Sequence, residues 1–145
     1  MKNNITKPIV AGLIAAAVMT LISFMAPLMG LPKMNAAEML SMIMGVPLIV
    51  GWGMHFMIGT VFAFGYALIF SKVLHRISNE IFKGVVYGVI VFVFAQIAMA
   101  MMGLILPMPP VSGNMVLMMV GGVIGHIAYG ISLGLALKEN VSIQL

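Results

Sequence analysis

The sequence predicts an all-α membrane protein: a four-transmembrane-helix bundle of two parallel two-helix repeats, with a short outer interfacial helix between spans 1 and 2. Three observations predict it. The chain is 63% hydrophobic and only 7% charged, with a mean hydropathy of +1.20, whereas a soluble domain is about 25% charged. Four apolar runs each reach the length of about 20 residues that a helix needs to cross a bilayer. Proline, glycine and asparagine stand where those runs begin and end, as helix punctuation does. At 145 residues the chain is read as one integral membrane domain.

The basic stretch 1–7 precedes an apolar run, as in a signal peptide. The run is too long for a signal core and lacks a small-residue cleavage site, so it reads as a retained first span. That span covers 8–29, with Pro8 suited to a first turn and Gly30 then Pro32 to a stop. Next, Asn35-Ala36-Ala37-Glu38 has capping-box spacing and predicts a short helix over 36–44, ended by Gly45 and Pro47. Met39, Leu40, Met42, Ile43 and Met44 make that helix apolar on most sides, which places it in the interface as a lid across the bundle mouth. Span 2 covers 48–71 and span 3 covers 82–106, within an apolar stretch that opens at Glu80 and is stopped by Pro107. The segment 107–113 reads as a stiff, helix-free turn. Span 4 covers 114–137, with Asn114 as its N-cap.

Of the seven Lys and Arg residues, only Lys33 falls on the outer side of this arrangement. The positive-inside rule then puts both termini in the cytoplasm. Lys7 and Gly12 match Lys83 and Gly88 in spacing, and each second span carries a histidine flanked by glycines. Two such copies keep the same topology and are related by an axis along the membrane normal.

Those histidines are the candidate site. Gly51, His55 and Gly59 lie four residues apart, as do Gly122, His126 and Gly130. Positions i−4, i and i+4 share one helix face. An ionisable group within a span is costly, so each histidine is a functional candidate. Thr20 and Gln96 lie at comparable depths in spans 1 and 3, as hydrogen-bond partners or a supporting shell for His55 and His126. The 17 methionines add a second pattern. Apart from Met1 they fall in the middle to outer part of the predicted bundle, Met54, Met57, Met118 and Met119 among them. Thioether selects copper(I) and imidazole also binds copper. A methionine-lined mouth leading to two histidines would bind or pass on a redox metal, most simply copper(I). The plainer reading is packing, because small-xxx-small patterns bring membrane helices together and histidine can hydrogen-bond across them.

The two stripes resemble those of cytochrome b membrane subunits, which use such glycines near axial histidines. That resemblance implies a bis-histidine haem b electron-transfer protein, with Gly51, Gly59, Gly122 and Gly130 making room for the macrocycle. The stretch 51–59 resembles the small uncharacterised bacterial inner-membrane proteins with four spans. This implies the fold and an inner (cytoplasmic) membrane location in a bacterium, and no activity.

Other functions are disfavoured. The absence of cysteine excludes disulfides and thiolate metal sites. The basic residues flank apolar runs and form no single patch, so the net charge of +4 does not suggest nucleic acid as a partner. Glu38, Glu80 and Glu139, the only acids, fall near the membrane surfaces, which removes the usual relay for proton-coupled transport. With no paired carboxylates, nucleophile–base motif or phosphate loop, an enzyme is not expected. The partner is the lipid bilayer. A larger membrane complex or a homo-oligomer comes in where the chain is a cofactor-free accessory subunit.

Overall fold

A computed structural model describes residues 5–108 and 113–138 of the chain. Residues 109–112 of the expected stiff turn lie outside the described residues, as do Lys2 and Glu139. The helices are α1 (Thr6–Met25), α2 (Ala36–Met44), α3 (Leu48–Gly65), α4 (Ser71–Val73), α5 (Glu80–Gly103) and α6 (Met115–Ala136). A 3₁₀ turn, Ala26–Met29, extends α1, and a π turn, Tyr66–Phe70, joins α3 to α4. Four continuous segments are long and apolar enough to cross a membrane: Thr6–Met29, Leu48–Val73, Glu80–Gly103 and Met115–Ala136.

Local chemistry sets the boundaries. The side chain of Asn35 accepts from the Glu38 amide at 3.1 Å and starts α2. Gly45, at φ 63°, ends it in the left-handed region open to glycine. Asn114 accepts from the Val116 and Leu117 amides and caps α6. Asn79 does the same for Ile81 and Phe82, so α5 begins at Glu80, ahead of the expected 82. It ends at Gly103, because Leu104–Leu106 turn back on the Met101 and Met102 carbonyls.

Close helix contacts are made by small residues. On α5, Gly84 and Gly88 face Gly130 and Gly134 of α6. A Cβ on Gly130 would sit 2.1 Å from the Gly84 carbonyl oxygen, and one on Gly88 2.3 Å from the His126 carbonyl oxygen. Backbone approach of this kind gains van der Waals contact where lipid offers no hydrophobic drive. On α1, Gly12 and Ala16 meet Gly59 and Thr60 of α3 in the same way. Helix α1 also packs along α6, and α2 lies across the start of α3.

The π turn that follows α3 meets α5 through aromatic side chains. Tyr87 of α5 stacks edge-on against Tyr66 and Phe70, with ring centroids 5.0 Å apart in each case. Its hydroxyl donates to the Phe62 carbonyl at 2.5 Å. Tyr129 of α6 likewise donates to the Gly59 carbonyl. Buried Tyr66, Tyr87, Tyr129 and Leu133 form the centre of the core. Between 17% and 28% of each span's apolar window is buried inside the bundle, so most span residues keep some surface on its outside.

Candidate functional site

Between α3 and α5 lies a cleft of about 230 Å³, bordered also by α1, α2 and α6. The Tyr87 cluster lies beyond it at the end of the bundle away from α2. Ala36, Met39 and Leu40 of α2 line one end of the cleft, and Ala16 and Met19 of α1 line its back. Helix α6 contributes His126 and Tyr129, and α3 contributes His55, Ile58 and Phe62. Gly59 of α3 also borders the cleft, and α5 contributes Val91, Phe94, Ala95, Ala98, Met99 and Met102. Both histidines therefore border one cavity, from helices that are not sequence neighbours.

Each histidine is held by a specific partner. His55 is buried, and its Nε2 shares a 3.0 Å hydrogen bond with Thr20 Oγ1. Trp52 and Phe56 pack against the ring, with centroids 6.1 and 5.5 Å away. Beside Thr20 lies a void of about 10 Å³, also bordered by Ser23, Asn35 and Trp52. That is about the space of one water. His126 is half-buried, with Nδ1 2.8 Å from the Gly122 carbonyl oxygen one turn earlier on α6. A carbonyl only accepts, so this Nδ1 carries the proton. In the neutral ring Nε2 is then an acceptor, on the edge facing away from the α6 backbone. Phe92 packs edge-on against this ring at 5.5 Å.

The other nominated residues divide. Thr20 meets His55 as depth counting expects. Gln96 lies on the exposed side of α5, and His126 pairs with the Gly122 carbonyl. Met57 and Met119 are exposed, and Met54 and Met118 are half-buried away from the cleft lining. The methionines that line the cleft are Met19, Met39, Met99 and Met102.

The four flanking glycines make close helix contacts, and Gly59 also borders the cleft. A Cβ on Gly51 would lie 2.2 Å from the Ala37 carbonyl oxygen of α2. At Gly59 it would meet Ala16 at 3.0 Å, at Gly122 the Phe92 ring at 3.0 Å, and at Gly130 the α5 backbone. Among the described residues, no group of three or more His, Cys, Asp or Glu side chains converges. His75 is exposed and binds the Lys72 carbonyl at the basic end of the bundle.

The sequence marks the tyrosines as interfacial or bundle-packing residues, without naming their partners. A tyrosine within an apolar span needs a partner for its hydroxyl. That was the available signal for Tyr87 and Tyr129, which link α5 and α6 to the α3 backbone beside the cleft.

The chain matches the model of a family of unknown function, DUF6789, over residues 2–143. It belongs to that family. No curated protein and no solved structure matches it.

Proposed function

We propose that this member of the DUF6789 family is a non-catalytic membrane module that binds or passes on a soft redox metal, copper(I). The observation that carries this reading is the shared lining: His55, His126 and the methionines Met19, Met39, Met99 and Met102 border one cleft. Imidazole and thioether form the donor set that suits copper(I). When bound there, the ion would supply one-electron chemistry or transfer to another carrier. The chain's own residues bind and orient. The Gly122 carbonyl holds His126 Nδ1–H, as the outer partner of a metal-binding histidine does. Thr20 fixes the ring of His55.

The haem reading draws less support from this site. Beside Gly51, Gly122 and Gly130 the space is taken by helix backbone or an aromatic ring, so these glycines do not provide the room for a macrocycle that the reading calls for. The remaining reading, a cofactor-free accessory subunit, is favoured by those same glycine contacts. An absorption spectrum with elemental analysis of protein purified in detergent separates the readings. Copper near one equivalent supports the proposal. A Soret band, or neither signal after copper(I) loading, overturns it.

Two further elements belong to the proposal. The parallel-repeat reading is supported by Gly12 and Gly88, each of which packs on a histidine-bearing helix, Gly12 at Gly59 and Thr60 of α3 and Gly88 one turn earlier in the repeat, at His126 and Ile127 of α6. The inner-membrane orientation, with the basic end cytoplasmic, is supported by Lys7, Lys72, Arg76, Lys83 and Lys138, all at the ends of helices away from α2.

A further inference from the structure

A bound ion would account for the imidazoles but not for the size of the cleft, nor for the way it opens. About 230 Å³ is far more room than one ion needs, and the rest of the lining is apolar. Ala16, Ala36, Ala95 and Ala98 hollow it out, since each ends at a methyl group. The opening lies between α3 and α5, where exposed Phe94, Ile58 and Ala98 border it. Those residues sit within spans that cross the bilayer, so the entrance faces lipid and not water. The tyrosine cluster of the π turn and α5 closes off the basic end and α2 covers the other. A ligand therefore enters sideways, from solution in the membrane.

The cleft also specifies one polar contact. His126 Nδ1 is spent on the Gly122 carbonyl, so the neutral ring offers Nε2 as an acceptor. An acceptor at an apolar site selects a donor, because leaving either group unpaired in that setting is expensive. A few placed polar groups in an apolar cleft are the usual anatomy of a small-molecule site.

We propose that the α3–α5 cleft binds a neutral membrane-dissolved lipophile bearing a hydroxyl, which donates to His126 Nε2 while its apolar body lies along Ala95, Ala98 and Phe94. This does not rest on the metal reading. A metal and a hydroxyl would compete for the same nitrogen, so the metal-free full chain is the form to examine.

The test uses two probes that differ only in the donor: 4-decylphenol and its methyl ether. Binding is measured in detergent micelles, at equal probe-to-detergent ratios and with chelator present, as the saturable rise in the unfolding midpoint. The phenol is expected to bind about tenfold more tightly than the ether, the effect of one hydrogen bond in an apolar site. His126→Leu should erase that difference while leaving weak binding of both. Ala98→Phe fills the mouth at an exposed position where the fold is not at risk, and should abolish saturable binding of both. Equal binding of phenol and ether to the unaltered chain overturns the proposal. So does unchanged phenol binding in Ala98→Phe. Copper uptake by the same preparations reports on the metal reading separately.

Discussion

A single methyl group distinguishes the glycines of this chain. At Gly130 an added Cβ would lie 2.1 Å from the Gly84 carbonyl oxygen, and neither backbone can yield without parting α5 from α6. Gly130→Ala should therefore destabilise the protein by about 1–3 kcal/mol, the usual cost of overpacking. Gly53 lies on α3, two residues before the other histidine, His55, yet nothing lies within 4 Å of its Cβ position. Gly53→Ala should be neutral or stabilising by up to about 1 kcal/mol, through helix propensity alone. Unfolding midpoints of the two variants in one detergent check the pair, and equal midpoints would contradict the packing account. This contrast shows why the stripes were ambiguous on the page. Spacing gives the face of a helix, but not what lies opposite it. Gly51 reads as room for a ligand, and the room is taken by α2, whereas Gly59 touches Ala16 of α1 and also borders the cleft.

At the scale of elements, much was legible because the governing chemistry is local. Asn35 and Glu38 carry the capping pattern, and Gly45 the stop, so α2 falls on the expected residues 36–44. The spans follow from apolar length, which a bilayer fixes. Azimuth was not legible. Counting placed Gln96 level with His126 but could not say that it faces outward. The same limit moved the cleft's methionines from Met54, Met57, Met118 and Met119 to Met19, Met39, Met99 and Met102. Which methionine faces which helix depends on tertiary packing, and one periodicity does not encode that. The π turn at Tyr66–Phe70 was also unforeseen; it lies beside the Phe62 carbonyl that receives the Tyr87 hydroxyl. The prediction at this scale concerns α2. Asn35→Ala removes the acceptor for the Glu38 amide, and should cost about 0.5–2 kcal/mol locally. Hydrogen exchange should quicken over Ala36–Leu40 and stay unchanged in α5 and α6. Faster exchange throughout the bundle would mean that α2 is part of the global folding unit.

For the molecule as a whole, the charge distribution and the cleft make separate claims. The basic ends of the helices predict a cytoplasmic location for Lys138 and an outer one for Lys33. An impermeant thiol reagent applied to intact cells should label Lys33→Cys and spare Lys138→Cys; the reverse pattern would invert the bundle. The central claim is that imidazole and thioether meet in one cleft although they come from helices far apart in sequence. The most direct measurement is the X-ray absorption spectrum at the copper edge of the copper(I)-loaded protein, beside that of His126→Ala. The account predicts imidazole nitrogen and thioether sulfur together around the ion, with nitrogen scattering reduced in the variant. A spectrum free of sulfur, or one that His126→Ala leaves unchanged, would contradict it.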